Sequence, residues 1–246
     1  MRISDITISK MKEIVGPIEL QLSQMRTYEE ASQFFCQSLY NMFPNAIVLA
    51  RIFVSVPYEK LPESNKKVVQ DIIRNTKKQA DLRSDTKILS LVGTYGEKNE
   101  WNSRLLSKGH VGIPLISKSF IAGIPMMNRL LERLGIDYEN ETSDNRNTRK
   151  SSFSGLFYVK NSENEVDSLG RHIITNQEFV RNYQVKSVFG FGGSYINQTD
   201  FYTAIVFLKE QVNLGSAETI ALVGGNFKMA TKELMKVGQI FVDKNM

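Results

Sequence analysis

Two strongly apolar runs in the last third of the chain set its pattern. Residues 187–191 and 201–208 are rich in Phe, Val and Ile, side chains that fit a pleated, half-buried surface. Gly190, Gly192 and Gly193 and an Asn-containing connection lie between them, where they permit a bulge, a sharp bend or the close approach of a ligand or another backbone. The pattern predicts a hairpin over residues 185–208 at the centre of an antiparallel sheet. A third run, AIVLARIFVSV at 46–56, is almost continuously apolar and predicts a central strand covered on both faces. Arg51 interrupts it and has two readings. It faces water or a carboxylate near the strand edge, or its guanidinium meets an anionic ligand. Further strands are expected at 86–95, 113–116 and 153–159.

Elsewhere the apolar spacing is helical. Residues 3–25 carry Ile6, Ile8, Met11, Ile14, Val15, Ile18 and Leu22, with an interruption at Gly16-Pro17. Thr27 and Glu30 have the spacing of a capping box and open a helix with Ala31, Phe34, Phe35, Leu39 and Met42 on one face. Ser64 caps a helix running to about residue 81, apolar at Val68, Val69, Ile72 and Ile73 and lysine-rich opposite. A short helix is expected over 98–109, one from Pro125 to a stop at Gly135, and one over 176–183. One long helix is expected over 213–237, with Gly224-Gly225 as a place for a kink. Residues 137–152 are polar and nearly free of apolar side chains, so they form an exposed, flexible insertion loop that cannot offset its ordering entropy. The sum is a single α+β domain over 1–246, a mostly antiparallel sheet flanked by helices. Long helices stand at both ends, and residues 1–26 form an N-terminal helical extension.

Composition agrees with a folded chain. Of 246 residues, 41% are hydrophobic and 10% aromatic, enough for a sizeable core. No run approaches the roughly 18 consecutive apolar residues of a spanning helix, and the N-terminus lacks the features of a secretory signal. The one cysteine, Cys36, excludes an internal disulfide and a Cys-only metal site. Together these point to the cytoplasm and away from membranes. The net charge of +5 is scattered, densest at Lys66/Lys67, Lys77/Lys78 and residues 146–150, which is the distribution of a solvated surface rather than a nucleic-acid interface.

Catalytic patterns are sparse. His110 and His172 are the only histidines, and neither has a second His or Cys at metal-ligand spacing. Cys36 lies on the buried face of its helix, where a thiol is inert. There is no Gly-x-Ser-x-Gly elbow or Walker loop. GFGGSY at 190–195 joins two strands, whereas a dinucleotide fingerprint must open a helix. No catalytic residue and no metal site are assigned. The candidate ligand-binding residues are Trp101, Arg104, His110, Tyr158, Arg171, His172, Phe189 and Phe191. The aromatics would wall a pocket on a half-open sheet, and each also has a plainer reading as core aromatic or surface charge.

The arrangement resembles the GAF family of sensory domains. ARIFVSV (50–56), KILSLVGTYG (87–96), KSVFGFGG (186–193) and FYTAIVFL (201–208) carry the resemblance, which covers about residues 27–237. It implies a PAS/GAF-like sheet and a small-molecule-sensing or regulatory role without intrinsic catalysis. It also implies a homodimer through the terminal helices, with apolar stripes at 6–22 and 220–237, and a separate output protein. No chromophore-attachment cysteine and no Asn-Lys-Phe-Asp-Glu set is present, so neither a covalent bilin nor a cyclic nucleotide carries over. The ligand is an unidentified small molecule and no cofactor is assigned. The pocket is expected between the sheet and residues 101–116 and 157–179. Two other readings stay open. One is an enzyme of unknown class using His110, His172 and Arg104, which requires at least two of them to share a cleft. The other is a basic protein or nucleic-acid interaction domain on the lysine-rich helix at 66–78.

Overall fold

A computed structural model describes residues 2–75, 82–107, 109–136, 154–195 and 200–242. Its strands are β1 (Ile47–Pro57), β2 (Lys87–Gly96), β3 (Gly112–Pro114), β4 (Ser154–Val159), β5 (Ser187–Ser194) and β6 (Phe201–Leu208). They form a six-stranded sheet in the order β3-β2-β1-β6-β5-β4, and every pairing is antiparallel. The apolar runs explain the order. β1, the most continuously apolar strand, lies between β2 and β6 and is buried along both faces except at Arg51 and Pro57. β5 and β6 pair along their whole length. This is the antiparallel α+β arrangement that the family resemblance implies.

One face of the sheet is covered by α1 (Ile8–Leu22), α2 (Tyr28–Met42), α7 (Leu214–Ala221) and α8 (Val223–Lys236). α3 (Glu63–Asn75) covers the β3 edge of that face through Val69. The opposite face is covered by less regular structure. It has α4 (Lys118–Ile121), α5 (Pro125–Arg133), α6 (Gln177–Asn182) and the segments joining them. Side chains alternate accordingly. In β4, Phe157 and Val159 point to the second layer while Leu156 and Tyr158 point to the first.

Local signals account for several of these elements. Glu30 N–H donates to Thr27 Oγ1 at 3.1 Å and Thr27 N–H donates to Glu30 Oε2 at 3.0 Å, so both halves of the capping box are formed. α2 then lies directly on β2. A Cβ at Gly93 would come within 2.4 Å of the Ser32 carbonyl oxygen, so only glycine admits this approach. Pro125 opens α5 at its first turn, and Gly135, at φ +68°, follows its end.

Three expectations are corrected. α1 runs through Gly16-Pro17 rather than breaking there, because Met11, Val15 and Leu22 anchor both halves in the core and outweigh the one missing N–H. The described residues of 98–109 hold a 3-10 turn at Asn99–Trp101 instead of a helix. The Asn102 side chain accepts from Gly96 N–H and Ser103 Oγ accepts from Leu105 N–H, local bonds that compete with a helical ladder. The long C-terminal helix divides at Leu222 into α7 and α8. Gly224 is pressed onto Phe191, and its carbonyl accepts from Tyr202 Oη at 2.6 Å, which fixes the start of α8 on the sheet. The insertion at 137–152 and the continuation of α3 to 81 lie outside the described residues. Among the described residues no helix is long and apolar enough to cross a membrane.

Gly224 and its neighbour give a direct test of this packing. A Cβ at Gly224 would lie 2.5 Å from the Phe191 ring, whereas one at Gly225 would meet nothing within 4 Å. In urea denaturation, Gly224→Ala is expected to cost about 1–3 kcal/mol. Gly225→Ala is expected to add about 0.5–1 kcal/mol. Equal effects would contradict the close contact of α8 with the sheet.

Candidate functional site

Among the described residues the second layer does not close over β1 and β6. A solvent-open cavity of about 380 Å³ remains there. Its floor is the sheet: Leu49, Arg51 and Phe53 of β1, spaced by two so that all face one side, and Ile205 and Phe207 of β6. Its walls come from Trp101, from Gly109 and His110, from the start of α5 and from α6 with the residues just before it. Phe179 and Tyr183, one helical turn apart, both reach the indole of Trp101, with ring centroids at 5.8 and 4.7 Å. Phe179 also meets Phe207 edge-on at 5.3 Å. These four rings form a continuous aromatic wall.

Arg51 is the charged residue on the floor. Nη1 donates to the Gly109 carbonyl at 2.9 Å and Nη2 to Ser107 Oγ at 2.9 Å. Its Nε is buried and makes no hydrogen bond among the described residues. Both acceptors are neutral, and burial pushes the guanidinium down to about 10. Glu100 and Glu178 also line the cavity, from solvent-exposed positions. His110, at φ +52°, sits on the loop that Arg51 holds. The surrounding cavity wall, and then the charge of Arg51, hold its imidazole below the ordinary value of 6.5.

The cavity brings together Trp101 and His110 of the residues expected from sequence. The other six lie elsewhere. Phe189 and Phe191 face the helical layer, where Phe191 meets Phe35 of α2 at 6.5 Å. The register explains this. Arg51 pairs with Ile205 and Ala50 with Val206, and Phe189 is opposite Val206, so Phe189 shares the face of Ala50 rather than that of Arg51. Tyr158 shares that helical face and donates to the Val212 carbonyl at 2.5 Å. Arg171 pairs with Asp167 at 2.6 Å on a surface turn, and His172 is exposed beside it, bridged to Val166. Arg104 is buried between the N-terminus of α2 and the C-terminal segment. It donates to Glu29 at 2.5 Å and to Asn65 at 3.2 Å and stacks over Phe241 at 5.2 Å. Phe179 closes the segment expected to line the pocket, and Tyr183 and Phe207 join it there; the i,i+4 spacing of Phe179 and Tyr183 marks one helix face. Among the described residues no three His, Cys, Asp or Glu side chains are placed to hold a metal ion.

No protein-family model and no curated protein matches the chain. Solved structures do resemble it. The chain is similar to a free methionine-R-sulfoxide reductase from Neisseria meningitidis in complex with its substrate, with a TM-score of 0.51 and 10% identity over 94% of this chain and 93% of that one. It is also similar to the GAF domain of an Acinetobacter phosphoenolpyruvate-protein phosphotransferase, at 0.47 and 10% over 95% and 98%. The phycoerythrobilin-bound GAF domain of a cyanobacterial phytochrome is similar at 0.47 and 11% over 95% and 99%. At such identity the likeness is one of fold alone.

The electrostatics of the loop are open to titration. His110 is neutral in both folded and unfolded chains above about 6.5, so it leaves stability unchanged there. As the pH falls below that value the unfolded chain takes up the proton first, and stability declines until the lower folded-state pKa is passed. Followed by NMR of the imidazole Hε1, His110 is expected to titrate below 6.5 in the native protein. Arg51→Met is expected to move it upward by removing a positive charge, and Arg51→Lys to leave it depressed.

Proposed function

We propose that this chain is a small-molecule-sensing module, without catalysis of its own, whose ligand occupies the cavity over β1 and β6. The observation that carries the reading is that cavity of about 380 Å³, walled by Trp101, Phe179, Tyr183 and Phe207. Its size is that of a pocket for a drug-sized molecule, and its apolar lining with a few polar groups is what orients one. The reading includes a homodimer through the terminal helices and a separate output protein. Exposed Ile8 and Leu20 on α1 and Leu222 and Met229 at α8 support the first of these.

The enzymatic alternative needs two of His110, His172 and Arg104 in one cleft, and only His110 lines this one. A reduction by this chain's own thiol would need that thiol at the ligand, and Cys36 is the one cysteine. Cys36 is fully buried in the helical layer across the sheet, and burial pushes its thiol far up. Native Cys36 is therefore expected to resist a disulfide reagent such as dithiobis(nitrobenzoate) and to react fully once the chain is unfolded. Rapid labelling of the native protein would reopen the thiol reading.

The pocket itself is tested with N-phenyl-1-naphthylamine, a neutral aromatic dye that brightens in apolar surroundings. One dye per chain is expected to bind with micromolar affinity and to quench Trp101, the only tryptophan. Met126→Trp, at the cavity wall, is expected to abolish binding with little change in unfolding midpoint. No binding, or binding that ignores Met126→Trp, would overturn the reading.

A further inference from the structure

We infer that the ligand of this cavity is a monoanionic aromatic acid and that Arg51 selects it by pairing with its carboxylate. The inference rests on the cavity being the ligand site.

Arg51 lies between Leu49 and Phe53 on the floor, opposite Ile205 in the neighbouring strand. A cation is expensive in such surroundings unless something negative meets it. The hydrogen bonds to Gly109 and Ser107 use two of the guanidinium's five N–H groups, and among the described residues no carboxylate pairs with its charge. Holding one carbonyl and one hydroxyl needs only a neutral donor. A full charge at this point is explained by an anion, and the guanidinium fork fits the two oxygens of a carboxylate. Burial acts on Arg51 in the same sense, lowering its proton affinity, so an anion would relieve a cost already present.

The remaining lining narrows the class. Trp101, Phe179, Tyr183 and Phe207 meet one another mostly edge to face, an arrangement that receives a planar ring. Glu100 and Glu178 stand at exposed positions of the lining and repel a second negative charge there. One acid group on an aromatic body satisfies all three constraints.

The test compares 2-naphthoate with 2-naphthamide, a neutral molecule of nearly the same shape, by isothermal titration calorimetry at pH 7.5. The acid is expected to bind about tenfold to a hundredfold more tightly than the amide, the range of a charge-assisted hydrogen bond. Arg51→Gln is expected to bring the acid down to the amide and leave the amide unchanged. Equal affinities in the native protein, or an unaltered preference in folded Arg51→Gln, would overturn the role of Arg51 and leave the cavity reading standing. Binding of neither probe would overturn both. Should Arg51→Gln fail to fold, the native comparison decides, together with the NMR resonance of the Arg51 Nε–H. That resonance is expected to move with naphthoate and stay in place with naphthamide, and the same shift with both would overturn the pairing.

Discussion

A strand buried on both faces obliges the chain to supply two covers, and the covers of β1 are unequal. On one side α1, α2, α7 and α8 lie against the sheet closely enough that Gly93 and Gly224 have no space for a methyl group. Helices of eight to fifteen residues can present a continuous apolar stripe to a sheet. On the other side the cover is made of the short α4, α5 and α6 and of turns whose backbone polar groups must also be satisfied. That material seals the β4 end, where Leu130 packs over Gly190, but not the ground between Trp101 and α6. The cavity is the remainder of an incomplete cover.

The same division sorts the ionisable groups. The sealed layer holds Tyr28, Tyr195, Tyr202 and Cys36, all pushed upward chiefly by burial and all uncharged. The tyrosine hydroxyls are spent on structure. Tyr195 bonds Tyr28 at 2.9 Å and Thr231 at 2.8 Å, and Tyr202 bonds the Gly224 carbonyl. Their bonds tie α2, α8 and the hairpin together. The open layer holds Arg51 and His110, whose shifts run downward and whose charges act on one another. Arg51 and His110 line the cavity that opens to water.

How much of this was legible in the sequence follows from what kind of signal each feature leaves. Local signals read well. The Thr27–Glu30 box, Pro125 at a helix start and the doubly apolar run of β1 depend on residues within a few positions of one another. The face on which a strand residue lands is not local. Phe189 and Phe191 are large and aromatic, which suits a pocket wall, but register with β6 sends them to the other layer. Arg104 was assigned for its charge, and the partner that claims it, Glu29, is 75 residues away. Arg51 could be read either way until the loop carrying Ser107 and Gly109 was placed over it. The break between α7 and α8 turns on Phe191 and Tyr202, which no helical periodicity contains.

The turn that follows β2 serves two neighbours. Trp101 faces the cavity, and three residues later Arg104 grips Glu29, whose other oxygen accepts from Val242 N–H. The backbones of Tyr28 and Glu29 bond those of Gln239 and Ile240 in the same clasp. Trp101 and Arg104 thus stand three residues apart on one turn, the first over the pocket and the second on the clasp between the start of α2 and residues 239–242. A ligand that displaced the indole and strained this clasp would be opposed by it in return, by an equal free energy.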